Sequence, residues 1–571
     1  MKFRIANNNE NVTVTNEREE DGIIYADVNL NLEKEAIPES FKVLFSIPSA
    51  DCYSVWSPSL RYERFLNPNW RKQKTASRLA SWMPIHQVVS HRSKNKITIA
   101  VSDAKTPITI GTGASEENAD IDCEIEFFTV KVAPLKNYTA TIRIDLRDIP
   151  YYDCIYDVVN WWEKTCGYTP AYVPDSAKMP MNSLWYSYHQ ALDVEDILKE
   201  CALSKPLGMD TVIIDDGWQT SDSNRGYAYC GDWEVAKTKV PDMAEFVEKI
   251  HNTGMKVMLW YSVPFVGVKS KNFEKFKDYL LDETGKAGSY YCLDPRYKIV
   301  RDFLIDIYKN AVKDWNLDGL KLDFIDNFAL RGKSLEYDER RDYQSLEDAI
   351  DVLMTDITNE LRKINSEILL EFRQSYIGPA IRKYGNMLRV GDCPNDALKN
   401  RNDVVNLRLT SGSTAVHSDM LEWHVEDSAE SAAMQFVCSI YSVPQISMKI
   451  AELPEEHKKM LAFYLDFWRK NREVLIEGKL KAENPESDYS IVSSEKDGKI
   501  IYTCHTDTIV KCNGFNEVTA INASRGDTLL IKGAEGKKYS VVNCLGETLS
   551  GGVIDADIAE ITVPLSGMIK L

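Results

Sequence analysis

A lysine and an aspartate two positions apart lie at the end of a short apolar run, as Lys321 and Asp323 in the segment GLKLD. Side chains two positions apart on a β-strand point to the same side, so these two share a face. A nearby cation favours the ionised form of a carboxylic acid. The pattern therefore predicts a carboxylate that is ready to attack a carbon atom or to hold a ligand. An ordinary ion pair at a strand end is the alternative interpretation.

A second carboxylate in a similar setting is Asp392, which ends another predicted strand before the turn CPND. Glycoside hydrolysis needs two carboxyl groups that face each other across the bond to be broken. We expect Asp323 to be the nucleophile and Asp392, in a less solvated place with a raised pKa, to be the acid. Asp396 is the alternative acid, although it is better interpreted as the N-cap of the helix that follows.

Further polar and aromatic residues lie at the ends of predicted strands. Carboxylates and cations can bond sugar hydroxyls, and aromatic rings can stack on the apolar face of a sugar. Any single tryptophan or tyrosine could instead pack in the core, but the repeated placement at strand ends favours a sugar-binding cleft. The predicted substrate-binding residues are Asp215, Asp216, Trp218, Trp260, Lys321, Arg373, Arg389, His417, Asp419 and Trp423.

The elements that must position these residues alternate between strand and helix from about residue 175 to 475. Eight strand–helix units in about 300 residues predict a (β/α)8 TIM barrel, whose active sites lie at the C-terminal ends of the strands. A doubly wound open sheet is the alternative. The predicted strands are Ser183–His189, Thr211–Trp218, Lys256–Val263, Gly319–Asp326, Ile368–Gln374, Met387–Asp392, Thr414–Met420 and Gln445–Ile450.

The flanking regions have the short alternating segments of β domains. We predict an N-terminal β-sandwich over residues 1–172, the catalytic barrel over 173–476 and a small C-terminal β-sandwich domain over 477–571. The fold class is thus multidomain, α/β in the centre and β at both ends.

Composition restricts the classes of partner. A net charge of −18 argues against a nucleic-acid surface. The sequence has no run of 18 apolar residues, so it predicts no membrane-spanning helix. No signal peptide is visible at the N-terminus. The 12 cysteines are scattered singly, as expected for reduced thiols in a cytoplasmic protein.

We expect no metal, because His417 and Asp419 lack a ligand-spacing motif, and no cofactor, because no phosphate-binding glycine motif is present. A homo-oligomer is possible.

Three motifs together resemble a known family. The chain is similar to the retaining α-galactosidases of glycoside hydrolase families 27 and 36, especially family 36, over roughly residues 182–423. The order of the predicted domains is also that of the family. The motifs are IDDGWQ at 214–219, GDWE at 231–234 and LKLDF at 320–324.

The resemblance implies a role for individual residues. It makes Asp323 the nucleophile and Lys321 a ligand of the ring hydroxyls. It implies that Asp215 and Asp216, with Trp218 beside them, bind the axial 4-hydroxyl and the 6-hydroxyl. The segment from Arg389 to Asp392 resembles the one that carries the acid/base, and the two catalytic carboxyl groups should then lie about 5–5.5 Å apart.

The chain also departs from that pattern in two places. The aspartate follows Arg389 by three positions, as in the plant raffinose-synthase-like branch, whereas many members of the family have a gap of four. EFRQS at 371–375 replaces a segment rich in cysteine and glycine. An α-galactosyl transferase and an α-N-acetylgalactosaminidase therefore remain alternatives to a hydrolase that releases galactose. A non-catalytic sugar-binding protein is a further alternative, which the paired carboxylates disfavour.

Overall fold

A computed structural model describes residues 1–282, 288–330, 334 and 336–571. No helix in these ranges is long and apolar enough to cross a bilayer.

The N-terminal region is a sandwich of two sheets. One has five strands in the order β1-β4-β10-β9-β6, and the other has six in the order β2-β3-β11-β8-β7-β5. Alternate residues of β3 and β4, among them Val28, Leu30, Val43 and Phe45, are buried in one core between the sheets, as the period of a strand requires. The strands are β1 Arg4–Ile5, β2 Val12–Glu20, β3 Ile23–Ala36, β4 Phe41–Pro48, β5 Ser54–Trp56, β6 Gln73–Ser77, β7 Ile85–Val89, β8 Asn95–Val101, β9 Ile108–Ala114, β10 Asp120–Phe127 and β11 Leu135–Asp145.

Helix α1, Tyr151–Lys164, joins the sandwich to the rest of the chain. Its Trp162 Nε1 donates to the Val101 carbonyl, and its Tyr151 hydroxyl donates to the Ala482 carbonyl, both at 2.9 Å. The helix therefore contacts both β regions. The predicted boundaries at residues 172 and 476 stay predictions.

Eight parallel strands close into the predicted barrel, in the order β12-β13-β14-β17-β18-β19-β20-β21. The N-terminal end of the barrel is filled by apolar side chains, including Met181, Ile213, Met258, Leu369 and Met387. The barrel strands are β12 Met181–Ser183, β13 Thr211–Ile214, β14 Lys256–Ser262, β17 Gly319–Asp323, β18 Leu369–Arg373, β19 Met387–Arg389, β20 Ala415–Leu421 and β21 Val443–Ile446, with a hairpin of β15 Phe265–Gly267 and β16 Tyr290–Cys292 above β14.

The helices between the strands begin at side-chain caps where the sequence provides them. Asp396 accepts a hydrogen bond from the Lys399 N–H at the start of α8, which is the capping role predicted for it. The helices are α2 Trp185–Tyr188, α3 Val194–Ser204, α4 Met243–Asn252, α5 Asn272–Phe276, α6 Lys298–Trp315, α7 Leu346–Ile364, α8 Ala397–Thr410, α9 Ala429–Cys438 and α10 Glu455–Lys470.

The first predicted strand is wrong over most of its length. The strand ends at Ser183, and residues Trp185–Tyr188 form a single helical turn. The sequence SLWYSYH alternates as a strand does, but Leu184 already has helical angles, φ −84° and ψ −2°. The second strand also ends early, at Ile214, so Trp218 lies in the loop beyond it.

The C-terminal region has a seven-stranded sheet in the order β22-β23-β24-β26-β31-β28-β29 and a three-stranded sheet of β25, β27 and β30. The two sheets share a core that includes Val510, Val518, Leu529 and Val541. The strands are β22 Lys479–Glu483, β23 Ile491–Lys496, β24 Lys499–Cys504, β25 Ile509–Lys511, β26 Glu517–Asn522, β27 Thr528–Lys532, β28 Lys538–Val542, β29 Thr548–Val553, β30 Ile558–Thr562 and β31 Met568–Lys570.

Candidate active site

The C-terminal ends of four barrel strands bring charged side chains together. Asp323, Arg373 and Arg389 are the last residues of β17, β18 and β19, and Asp215 follows β13 directly. Because all barrel strands run in the same direction, these positions meet at one mouth of the barrel.

Asp323 is held by donors on both of its oxygens. Trp260 Nε1 donates to Oδ2 at 3.0 Å, and Arg373 Nε donates to Oδ1 at 2.6 Å. The Tyr376 hydroxyl, at 3.3 Å, and the backbone N–H of Phe324, at 2.8 Å, also donate to Oδ1. Only 10% of the side chain is exposed, so its orientation is fixed by hydrogen bonds and packing.

The surrounding cations keep Asp323 ionised. Burial raises the pKa of this carboxyl, but the charges of Arg373 and then Lys321 outweigh burial and leave the pKa below its ordinary value. The direct cationic partner is therefore Arg373, and Lys321 acts from a greater distance. The Lys321 ammonium bonds Asp215 Oδ2 instead, at 2.5 Å.

Asp215 and Asp216 form a second acidic pair beside Lys321. Asp216 accepts from Gln190 Nε2 at 2.7 Å and from Gln219 Nε2 at 2.6 Å. Burial, with a smaller contribution from Asp215, raises the pKa of Asp216 to about 6. Gly217 has φ +121°, and a Cβ at this position would lie 2.6 Å from Gln190 Cα. Glycine therefore lets the loop after β13 approach the loop after α2 closely.

Asp392 differs from the buried carboxyl that was expected. Its side chain is 57% exposed, and Arg389 Nη2 bonds Oδ1 at 2.9 Å. Partial removal from water raises its pKa, but Arg389, Lys321 and Arg373 together hold the pKa well below the ordinary value. The expectation of a raised pKa is wrong, because the charges of three cations act on this carboxyl.

The two carboxyl groups interact. The charge of Asp392 raises the pKa of Asp323, and both groups are influenced by Arg373 and Lys321. Two interacting carboxyl groups at one barrel mouth are the pair that glycoside hydrolysis uses, one as nucleophile or base and the other as acid.

Arg389 is buried at the end of β19 and is shared among three carboxylates. Besides Asp392, its Nη1 bonds Asp419 Oδ1 at 2.5 Å, and its Nε lies 3.5 Å from Glu371 Oε1. Glu371 Oε2 accepts from Gln445 Nε2 at 2.5 Å, and burial raises the pKa of Glu371. A polar network therefore continues from the mouth into the barrel interior.

Two of the predicted sugar-binding tryptophans do not reach the cleft. Trp218 is 0% exposed, donates to the Trp260 carbonyl at 2.9 Å and packs against other aromatic rings. Trp423 is also buried and donates to His457 Nδ1 at 3.2 Å. Both follow a strand end, but the loops direct their rings into the core.

His417 and Asp419 are likewise fully buried and do not line the cleft. His417 Nε2 lies 2.8 Å from the Ala177 carbonyl, toward the N-terminal end of the barrel, and burial lowers its pKa to about 4. Trp260, predicted to bind the sugar, donates its indole N–H to Asp323 Oδ2. The remaining predicted residues, Asp215, Asp216, Lys321, Arg373 and Arg389, are brought together with the two catalytic candidates.

Sequence reasoning missed several contacts. Gln190 and Gln219 bond Asp216, and Tyr376 bonds Asp323, yet none ends a predicted strand. Gln219 belongs to the motif IDDGWQ and carried the only usable signal. No group of three or more His, Cys, Asp or Glu side chains that could hold a metal is found within the described ranges.

Comparison with protein families decides the relationship. The sequence profile of the Melibiase family matches residues 179–478, which is more than half of the chain. The chain belongs to the Melibiase family. The match begins just before β12 and ends just before β22, so it spans the barrel.

Curated relatives match the chain over shorter segments. The chain is 32% identical over 139 residues to alpha-galactosidase Mel36A of Lactobacillus acidophilus, covering 23% of this chain and 18% of that protein. It is 30% identical over 127 residues to alpha-galactosidase 1 of Pediococcus pentosaceus, covering 21% and 17%. The aligned segments thus span less than a fifth of these relatives.

Solved structures resemble the whole chain. A variant of the GH36 alpha-galactosidase AgaA of Geobacillus stearothermophilus, in complex with raffinose, superposes with a TM-score of 0.67 at 14% identity. The superposition covers 96% of this chain and 79% of that one. At this identity the likeness establishes the fold, with a β domain on each side of the barrel.

Proposed function

We propose that this member of the Melibiase family is a retaining glycosidase of family 36 that releases terminal α-linked galactose. The observation that carries the proposal is the ionised Asp323, held by Arg373 and Trp260 at the barrel mouth and electrostatically coupled to Asp392. The curated relatives named as alpha-galactosidases support the substrate, and the GH36 designation of AgaA supports the subfamily.

In the first step, an oxygen of Asp323 attacks the anomeric carbon and the bond to the leaving oxygen breaks. Asp392 gives its proton to that oxygen, and a β-galactosyl ester of Asp323 forms. Asp392 must be protonated for this step. A sugar that covers the exposed carboxyl removes water from it and so raises its pKa toward the working range.

In the second step, water attacks the anomeric carbon and gives a proton to the Asp392 carboxylate. The ester bond breaks, and α-galactose leaves with its configuration retained. Asp392 is ionised at this stage, because its pKa is low when the carboxyl is open to water, and the carboxylate is the form that can accept the proton.

Lys321 and Asp215 are proposed to bind the sugar's hydroxyls with Asp216. Lys321 Nζ and Asp215 form a buried ion pair, and Asp216 is oriented by two glutamine amides. Such groups satisfy hydroxyl donors and acceptors in fixed geometry, which gives orientation to the substrate.

The test is hydrolysis of a panel of nitrophenyl glycosides, with the anomer of the first-formed sugar followed by NMR. We expect cleavage of the α-galactoside and initial release of α-galactose. Initial release of the β anomer would contradict retention, and the absence of cleavage of every α-galactoside would contradict the activity.

The panel includes α-linked galactosamine and N-acetylgalactosamine. A protein of Flavonifractor plautii named A type blood alpha-D-galactosamine galactosaminidase is 24% identical over 174 residues. Faster cleavage of either amino sugar than of galactose would transfer the proposal to that substrate and leave the roles of Asp323 and Asp392 unchanged.

A further inference from the structure

Asp419 is a fully buried carboxylate whose contacts converge on Asp392. It lies in β20, and its side chain is 0% exposed, so it cannot touch a sugar in the cleft. Its Oδ1 bonds Arg389 Nη1 at 2.5 Å, and the other end of the same guanidinium bonds Asp392 at 2.9 Å. One cation thus joins the two carboxylates.

The second oxygen of Asp419 holds the backbone next to Asp392. Oδ2 accepts from the Cys393 N–H at 2.6 Å and from the Tyr186 hydroxyl at 2.9 Å. Asp419 therefore acts on Asp392 by two routes, through the guanidinium on its side chain and through the peptide that follows it. The N–H of Asp419 itself donates to Asn400 Oδ1 at 3.2 Å, which anchors β20 to α8.

We propose that Asp419 is a positioning residue, which fixes the Asp392 carboxyl through Arg389 and Cys393 and keeps part of the Arg389 charge away from it. The inference rests on the proposed function, because it assumes that Asp392 is the acid/base. It assigns to Asp419 a task that differs from the sugar contact predicted from the sequence.

The charge balance explains why a buried carboxylate is needed there. Arg389 alone would hold Asp392 as a carboxylate, which opposes its use as an acid. A second anion on the same guanidinium competes for that charge, and Asp392 and Asp419 repel each other. The charged and titratable groups facing the pair are Arg389, Lys321, Arg373, Asp323, Glu371, Tyr186, Cys393 and Glu422. Lys399 Nζ also contacts the Asp392 carbonyl.

The test is Asp419→Asn, assayed with a nitrophenyl α-galactoside and with raffinose as a substrate with a poor leaving group. Loss of the anion lowers the pKa of Asp392, so less of it is protonated at a given pH. We expect the basic limb of the kcat profile to move down by about one pH unit. We expect kcat on raffinose to fall by roughly 100-fold and kcat on the activated substrate by less than roughly tenfold.

Three variants separate positioning from stability. Asp419→Glu keeps the charge, and we expect it to restore the position of the basic limb even if kcat stays low. Asp145→Asn removes another fully buried aspartate that bonds arginines, in the N-terminal sandwich, and should leave both the limb and the substrate ratio unchanged. Tyr186→Phe removes one bond to Asp419 and should lower the raffinose-to-aryl ratio severalfold.

The readouts do not depend on yield, because a ratio of rates and a pH midpoint are independent of the folded fraction. If Asp419→Asn gives no soluble protein, the ratio in Tyr186→Phe decides. The inference would be overturned if Asp419→Asn had the same basic limb of the kcat profile and the same raffinose-to-aryl rate ratio as the parent chain. An unchanged rate ratio in Tyr186→Phe would also overturn it. The proposed function fails separately, if Asp392→Ala itself shows no preference for activated leaving groups.

Discussion

Two strand ends of the same barrel present the same side chain in opposite surroundings. At the end of β17, Asp323 is buried and receives four hydrogen bonds. Just beyond β19, Asp392 is largely exposed, and within the described ranges its carboxyl has one side-chain hydrogen-bond partner, Arg389. Arginine lowers the pKa of both carboxyl groups, but Asp392 has far more exposed surface for a bound sugar to cover. Under the proposed function, Asp323 therefore keeps a constant charge and Asp392 has a variable one.

The largest effect is expected where the fixed carboxylate is removed. Asp323→Ala should lower kcat on the nitrophenyl α-galactoside by roughly 10⁴-fold or more, because no covalent intermediate can form. Azide enters the space and should restore turnover, giving the β-galactosyl azide, detectable by NMR. Failure of azide to restore activity in a folded variant would count against a nucleophilic role for Asp323.

Removing the variable carboxylate should produce a selective loss. Asp392→Ala should lower kcat by roughly 10³-fold on raffinose, which needs a proton on its leaving oxygen, but much less for the first step on an activated aryl galactoside. Rates for the two substrates, measured on one preparation, check this. Asp396→Ala is the matched control, since Asp396 caps α8 and should affect both substrates equally. Equal losses in Asp392→Ala would contradict its role as the acid.

The source of the fixed charge can be tested at Arg373. Arg373→Met removes the main cation beside Asp323 and so raises the pKa of that carboxyl. The nucleophile must be ionised, so activity is lost as pH falls through this pKa, and the acidic limb of kcat/KM should move up by about one pH unit. Arg373→Lys keeps a cation and should move the limb less. An unmoved acidic limb in Arg373→Met would mean that another group sets it.

The smallest effect is expected at Asp216, a third carboxyl whose pKa is raised to about 6 by burial. A raised folded pKa contributes stability below the unfolded pKa of about 3.9, and that contribution is lost as pH rises to about 6. The free energy of unfolding of Asp216→Asn relative to the parent chain should therefore improve by about 2 kcal/mol between pH 4 and pH 7. Denaturant unfolding at both pH values measures it; a constant difference would contradict the burial of an ionisable Asp216.

The sequence predicted the barrel and the acidic residues of its mouth because both depend on local pattern. β17 begins at Gly319 as predicted and ends at Asp323, three residues before the predicted end at Asp326. The direction in which a tryptophan ring points beyond a strand end depends on the conformation of the loop. The prediction that Trp218 and Trp423 line the sugar-binding cleft was therefore wrong, because both rings are buried in the core.

The local sequence pattern also could not predict how deep a side chain lies within the barrel. His417 and Asp419 share a face by the two-residue period, but β20 runs to Leu421, so both lie below the mouth. The partner of Asp323 is Arg373, 50 residues away, and Lys321 reaches across to Asp215, 106 residues away. Such pairings follow from the closure of the barrel and leave no trace in sequence spacing.

The most direct test of the account is covalent trapping with a fluorinated α-galactosyl fluoride, which slows hydrolysis of the intermediate. Proteolysis and mass spectrometry then locate the sugar. The account predicts one galactosyl ester, on the peptide that contains Asp323, with Asp392 unmodified. A label on Asp392, or turnover without any covalent adduct, would contradict it.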